Sequence, residues 1–151
     1  MKTIIEILRE ARASGDFQAM MSAIPYARFL GLSFDQYDGE RLGKLAYKDS
    51  LIGNPALPAL HGGTVGALLE STATFELLWT SETIVLPKII TVTVDYLRSA
   101  GPRDTFAKGE VTKQGRRVAT VHATAWQEDR AKPVASAIVH LLLTPPGEPP
   151  P

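Results

Sequence analysis

The sequence predicts an α+β protein in which a curved antiparallel sheet wraps around one long central helix. The segment 64–80 is apolar nearly all round at helical spacing, and a helix of that composition is usually buried. The strand-like segments after residue 86 follow one another without intervening helices, which favours an antiparallel sheet. A chain of 151 residues has the size of one domain with one core.

Composition excludes several function classes. Lys and Arg together number 16, as do Asp and Glu, so the zero net charge favours neither nucleic acid nor an anionic membrane surface. The absence of cysteine excludes disulfides, thiolate metal sites and a Cys nucleophile. No apolar run has the length of a membrane span, and the charged N-terminal segment does not resemble a signal peptide. We therefore expect a cytoplasmic protein.

The chain opens with helical segments and a hairpin. Residues 3–13 are predicted to form an amphipathic helix ending near Gly15, and a second helical piece stops before Pro25. Together they make residues 1–24 an N-terminal helical extension of a single domain, 1–144. The segments 32–37 and 41–48 flank an Asp-Gly turn and predict a hairpin.

The second half contains the central helix and the remaining strands. The segment 49–60 is expected to be irregular because it contains a glycine and two prolines, and Gly63 or Thr64 is the expected N-cap of the helix. Alternating segments joined by short turns predict an antiparallel meander. The predicted strands are 89–97, 106–112, 117–127 and 135–143. Residues 145–151 are proline-rich and expected to be disordered.

The segment His61-Gly62-Gly63 precedes the central helix. Glycines allow close approach of a ligand, and the helix start presents unpaired N–H groups and the positive end of the helix dipole. Such an arrangement can polarise a carbonyl or bind an oxyanion. The alternative is that Gly-Gly simply forms a tight turn.

Glu70 is a carboxylate within the apolar helix. It lies on the same face as Gly63, Gly66 and Ala67, whose small side chains leave open space beside it. Burial raises the pKa of a carboxylate, which suits a base or a nucleophile. The alternative is a structural carboxylate satisfied by a Ser, Thr or His across an interface. Glu76 projects about 240° further round the helix, so we expect it at the surface or rim.

Three arginines and two histidines have less specific patterns. Arg98, Arg116 and Arg117 lie at strand ends and turns, where they are either solvated charges or part of a phosphate-binding rim. His122 and His140 lie in strands without a second ligand nearby, so no metal site is expected. The sequence contains none of the usual nucleotide-binding glycine motifs and no serine-hydrolase elbow.

Taken together, HGG, a carboxylate nine residues after the His, and the later YLR, GRRV and AWQ segments resemble the hot-dog-fold acyl-CoA thioesterases. The closest branch is the phenylacetic-acid-degradation type, which includes the 4-hydroxybenzoyl-CoA thioesterases with Glu on the helix. The resemblance covers roughly residues 25–143. It implies that subunits pair edge to edge into dimers, which often pair again, so that a homodimer or a homotetramer is expected. It also implies that acyl-CoA binds at the dimer interface without a further cofactor.

The resemblance also implies residue roles. The Gly62 N–H would polarise the thioester carbonyl, and Glu70 would act as nucleophile or general base. Thr74 would help orient water, and His61 would shape the loop. Asn54, seven residues before the His where the family usually has Asn or Gln at six, is the candidate for the family's amide. The candidate substrate-binding residues are Gly63, Arg98, Arg116 and Arg117.

The predicted function is hydrolysis of an acyl- or aryl-CoA thioester. One alternative is a hot-dog hydratase or dehydratase acting on enoyl or hydroxyacyl thioesters, in which His61 would be essential. Another is a non-catalytic acyl-CoA-binding module, which the displaced Asn54 favours. The sequence does not define the acyl group. Its pocket is expected to depend on four apolar residues, Leu57, Leu60, Phe75 and Trp79, and on a second subunit.

Overall fold

A computed structural model describes residues 1–82, 84–144 and 147. The helices are α1 (Ile4–Ser14), α2 (Phe17–Ser22), α3 (Pro25–Leu30) and α4 (Gly62–Thr80). The strands are β1 (Leu32–Tyr37), β2 (Glu40–Leu45), β3 (Ile52–Asn54), β4 (Ala59–Leu60), β5 (Lys88–Tyr96), β6 (Thr105–Gln114), β7 (Val118–Trp126) and β8 (Ala135–Leu142). The expected disorder of 145–151 lies outside the described residues, apart from Gly147.

The N-terminal helices pack on the same core as the rest of the chain. A capping box formed by Thr3 and Glu6 starts α1, and Gly15, with φ of 72°, ends it in the left-handed conformation. Phe17 of α2 contacts Phe34 of β1 and Trp79 of α4, with ring centroids 6.1 and 4.2 Å apart. The predicted extension 1–24 is therefore part of the apolar core.

Six antiparallel strands form the main sheet in the order β1-β2-β6-β7-β8-β5. The predicted meander is present in β6, β7 and β8, which are neighbours in the sheet. β5 does not pair with β6, the next strand along the chain. It lies beside β8 at the opposite edge from β1. The segment expected to be irregular contains a short 3₁₀ turn and the small β3–β4 hairpin.

The helix α4 lies against the concave face of this sheet. Its fully buried residues include Leu68, Leu69 and Ala73. Six inward-facing positions of the sheet opposite it are alanines, which permit close approach of the helix axis to the sheet. These buried alanines are Ala107, Ala119, Ala123, Ala125, Ala135 and Ala137. No helix among the described residues has both the length and the apolar composition needed to cross a membrane.

Glu76 is not at the surface, so the expectation for this residue was wrong. It is 8% exposed, and the Arg41 guanidinium donates two hydrogen bonds to its carboxylate, one of them from Nε to Oε2 at 3.0 Å. Arg41 lies on β2, which runs beside α4. A charge in a helix is tolerated here because a bidentate partner reaches it from the sheet.

Gly43 of β2 packs closely against α4. A Cβ atom at this position would overlap Thr72 Oγ1. The Thr72 hydroxyl is fully buried and has no hydrogen-bond partner in the described part of the chain. Glycine at position 43 is therefore required by space, since even a methyl group has no room.

We predict that Gly43→Ala destabilises the protein by about 1–3 kcal/mol, the usual cost of overpacking a core. Urea unfolding at fixed protein concentration measures this. Thr72→Ala removes the overlapping oxygen, so the cost of Gly43→Ala should be smaller in that background. Additive effects of the two substitutions would contradict the assigned contact.

Candidate active site

His61, rather than Gly63 or Thr64, is the N-cap of α4. Its Nδ1 accepts a hydrogen bond from the Gly63 N–H at 2.9 Å, so the proton of the neutral ring is on Nε2. The His61 N–H donates to the Leu51 carbonyl at 2.8 Å. Gly53 of β3 packs directly against His61, because a Cβ there would lie 2.7 Å from the His61 Cα. The β3–β4 hairpin thus positions the helix start.

The first turn of α4 leaves the Gly62 N–H available. The His61 carbonyl, which belongs to the same peptide group, accepts from the Thr64 N–H at 2.9 Å and from the Thr64 hydroxyl at 2.7 Å. Among the described residues, none accepts a hydrogen bond from the Gly62 N–H. An unpaired N–H at the positive end of a helix is suited to bind developing negative charge.

A cleft of about 400 Å³ lies beside Gly62. Tyr96, Leu97 and Arg98 line it from the end of β5, Leu60 lines it from β4, and Val65 lines it from α4. The Arg98 guanidinium donates to the Pro133 carbonyl at 2.9 Å, which holds the cation at this site. The structure therefore brings two of the predicted residues, Gly62 and Arg98, to one cleft.

Glu70 lies in a second cleft, of about 370 Å³, on the open side of α4. Gly63, Gly66 and Ala67 line it, as the small-residue face of the helix predicted. Tyr26 of α3 and Val92 and Val94 of β5 line it from outside α4. Burial raises the pKa of the Glu70 carboxyl above its ordinary value. No described side chain donates a hydrogen bond to this carboxylate or pairs with its charge. Within one chain, no described Ser, Thr or His therefore satisfies the Glu70 carboxylate, as a purely structural role would require.

The two clefts are separate in a single chain. Gly62 and Glu70 are eight residues apart on α4, which corresponds to about 12 Å along the helix axis. A catalytic donor and a carboxylate must each lie within about 3 Å of the reacting group. One copy of this chain therefore presents the two groups at different ends of an open surface.

Other predicted residues lie elsewhere. The Thr74 hydroxyl donates to the Glu70 backbone carbonyl at 2.9 Å, so its proton is used inside the helix. Asn54 Oδ1 accepts from the N–H groups of Ala56 and Leu57 at 3.1 and 3.3 Å, forming a local turn. Asn54 lines neither of the two clefts.

Arg116 and Arg117 follow β6, at the opposite end of α4 from Gly62. Gln114, the last residue of β6, donates to the hydroxyl of Ser81, which follows α4, at 3.2 Å. Since α4 has 19 residues, this end is about 28 Å from the helix start. Within one chain the two arginines are not near the Gly62 cleft.

Two of the four residues expected near the acyl group, Phe75 and Trp79, lie away from the Glu70 cleft, and two residues that line the clefts were missed. Phe75 is fully buried against Phe34, and Trp79 packs on Phe17, so neither lines the Glu70 cleft. Tyr26 and Tyr96 do line the clefts. The alternation of β5 groups Tyr96 with Val92 and Val94, which could have indicated its face. The sequence carries no signal for Tyr26.

A long buried helix packed against a six-stranded antiparallel sheet is the architecture of the hot-dog fold. The sequence profile described as acyl-CoA thioesterase N-terminal domain matches residues 53–142, more than half of the chain. The chain belongs to this acyl-CoA thioesterase family and is a thioester hydrolase.

Solved structures agree with the fold. A Chromobacterium violaceum protein is 37% identical, with a TM-score of 0.76 over 93% of this chain and 98% of that one. A phenylacetic acid degradation-related protein of Ralstonia eutropha has 22% identity and a TM-score of 0.70 over 84% of this chain and 98% of its own. The E. coli PaaI protein, from the phenylacetic acid degradation operon, has 18% identity and a TM-score of 0.74 over 88% and 94%. A comparison with curated proteins finds no match.

We predict that Glu70→Gln stabilises the protein at pH 7. A raised folded-state pKa means that the protonated carboxyl favours the fold below the unfolded pKa, and that this contribution is lost as pH rises through the folded pKa. Glutamine has no charge to desolvate. Urea unfolding should therefore show a more stable variant at pH 7 and a smaller difference near pH 4, close to the unfolded pKa of about 4.3.

Glu110→Gln is the matched control, because Glu110 lies exposed on β6. It should leave stability nearly unchanged at both pH values. A gain for Glu70→Gln that is the same at pH 7 and pH 4 would contradict a desolvated carboxylate.

Proposed function

We propose that this thioesterase hydrolyses an acyl- or aryl-CoA thioester with Glu70 as nucleophile or general base and the Gly62 N–H as donor to the carbonyl. The observation that carries the proposal is the pair of unused groups on one helix, an unbonded N–H at its start and a partly buried carboxylate without a partner. Polar groups without a hydrogen-bond partner cost free energy when they are buried, and a bound ligand would supply the partner that each of these two groups lacks.

The chemistry can follow two routes that need the same carboxylate. As a base, Glu70 takes a proton from water, the water oxygen bonds to the carbonyl carbon, the C–S bond breaks, and the thiolate receives the proton. As a nucleophile, Glu70 attacks the carbonyl carbon and the C–S bond breaks to release the thiolate. Water then hydrolyses the mixed anhydride, which restores the Glu70 carboxylate and supplies the proton that the thiolate takes up. In both routes the Gly62 N–H stabilises the negative oxygen.

A second copy of the chain would bring the two groups together. β5 is an edge strand, and its exposed apolar residues include Ile90 at 55%, Tyr96 at 58% and Leu97, which follows it, at 51%. An exposed apolar edge of this kind favours strand pairing. If the β5 strands of two copies pair in an antiparallel fashion, every element of the second copy runs in the opposite direction along the strands. This reversal would place the Glu70 cleft of one copy nearer the Gly62 cleft of the other.

The same reversal changes where Arg116 and Arg117 lie relative to the site. In such a dimer the turn containing Arg116 and Arg117 lies on the same side as the Gly62 end of the second copy. We propose that these residues and Arg98 bind the phosphates of CoA, since Arg groups suit phosphate recognition. The acyl group would occupy the Glu70 cleft, beside Tyr26, Val92 and Val94. Further pairing of dimers into a homotetramer is part of the same proposal.

The hydratase alternative has weaker support. It requires His61 as an acid or base, but its Nδ1 is engaged by the Gly63 N–H. The non-catalytic alternative is decided by turnover, because a binding module would retain CoA thioesters without hydrolysing them.

We predict that Glu70→Gln lowers kcat/KM by about 100-fold or more, the usual contribution of acid–base catalysis. The measurement is thiol release from a panel of acyl-CoA and aryl-CoA thioesters, with Glu110→Gln as control. The acid limb of the wild-type pH profile should have its midpoint above the ordinary Glu value of about 4.3, because burial raises the pKa of Glu70. Equal turnover by the wild type and Glu70→Gln would exclude the proposal.

We predict that Ile90→Lys prevents pairing at β5, because charges on an edge strand oppose strand addition. Sedimentation equilibrium should give a dimer or larger species for the wild type and a monomer with little activity for the variant. Val118→Lys is the matched control on the interior strand β7, where Val118 is 43% exposed, and it should still pair. A fully active wild-type monomer would show that the site needs no second copy.

A further inference from the structure

We propose that Tyr96 is a positioning residue that holds the Gly62–Gly63 peptide and so aims the Gly62 N–H. This inference rests on the role of Gly62 in the proposed function. The Tyr96 hydroxyl donates to the Gly62 carbonyl at 2.8 Å across 34 residues of sequence. Its side chain packs on the same helical turn, because a Cβ built at Gly62 would lie 3.2 Å from the Tyr96 ring and one built at Gly66 would lie 3.5 Å from the Tyr96 hydroxyl.

The Gly62–Gly63 peptide is held at both ends. Its carbonyl accepts from Tyr96, and its N–H donates to His61 Nδ1 at 2.9 Å. A carbonyl has two lone pairs, so the Tyr96 bond can add to the helical bond that Gly66 makes in an α-helix. Rotation of this peptide would break the Tyr96 and His61 bonds together. The restraint matters because two successive glycines otherwise leave the backbone unusually free.

The neighbouring peptide, which carries the catalytic N–H, is held only through its carbonyl by Thr64. Its direction therefore depends on the Gly62 backbone angles, which the Tyr96 bond restrains. A misdirected donor loses much of its effect on a developing oxyanion, since small misplacements cost large factors in rate. Tyr96 acts in this scheme through Gly62, without touching the reacting carbonyl.

Tyr96 also connects the helix start to the edge of the sheet. It is the last residue of β5, and among the described residues its bond is the only side-chain hydrogen bond between β5 and α4. Pairing of β5 with a second copy would restrain this strand. The aim of the Gly62 N–H would then be tightest in the paired state.

The test is Tyr96→Phe, which keeps the ring against Gly62 and removes only the hydroxyl. We expect kcat to fall about tenfold while KM stays within about twofold, since a preorganised donor acts mainly in the transition state. Tyr37→Phe is the matched control. Tyr37 lies at the end of β1, far from both clefts in the sheet order, and its ring packs on Phe106. It should leave both constants unchanged.

A second measurement does not depend on activity. In protein labelled with ¹⁵N-glycine, Tyr96→Phe should speed the hydrogen exchange of the Gly63 amide, which the wild type holds between Tyr96 and His61. The exchange of the Gly109 amide serves as the internal control for global opening, because Gly109 is a buried residue of β6 that packs against α4.

The outcomes separate the two proposals. A wild type without thioesterase activity would overturn the role of Gly62 and Glu70, while the exchange data would still decide whether Tyr96 holds the peptide. An active wild type with unchanged kcat and unchanged Gly63 exchange in Tyr96→Phe would overturn the positioning role. A raised KM with unchanged kcat would also overturn it, because Tyr96 would then contact the substrate directly.

Discussion

The close packing of α4 against the concave sheet is the contact on which the rest of the structure depends. It requires small residues on the sheet. These are the buried alanines of β6, β7 and β8, together with Gly43 on β2 and Gly109 on β6. A Cβ at Gly109 would lie 3.1 Å from the Glu76 Cβ, and Gly43 has no room for one beside Thr72. The sheet covers one side of the helix closely, and the residues left half-buried or exposed on the other side include Gly63, Gly66, Ala67 and Glu70.

Because of this packing, the two carboxylates of α4 lie in different environments. Glu76 points towards the sheet, where Arg41 of β2 binds it with two hydrogen bonds. Glu70 points to the open side of α4, where burial raises its pKa and no described partner compensates it. A paired buried carboxylate is structural, whereas an unpaired one with a perturbed pKa in a cleft is typical of a functional group. The contrast arises from position around the helix, since the residue type is the same.

The helix start shows the same economy of contacts. The His61 N–H donates to Leu51, the Gly63 N–H donates to His61 Nδ1, and the Gly62 carbonyl accepts from Tyr96 of β5, whereas no described residue accepts from the Gly62 N–H. Leu51 and Tyr96 come from distant parts of the chain, so the tertiary fold holds the helix start in place. The separation of about 12 Å between the Gly62 N–H and Glu70 along α4 is a consequence of helix geometry.

The sequence by itself determined the elements with strong local patterns: the apolar helix, the alternating strands, the Gly-Gly helix start and the small-residue face around Glu70. These follow from side-chain periodicity, which is a property of neighbouring residues. Only the tertiary structure decided the rest. Glu76 is buried because Arg41, 35 residues earlier, reaches it, and Tyr96 belongs to the site because β5 lies at the sheet edge. Phe75 and Trp79 joined the core, and Asn54 closed its own turn. Such outcomes depend on which distant residues the fold brings into contact, and spacing along the chain carries no record of that.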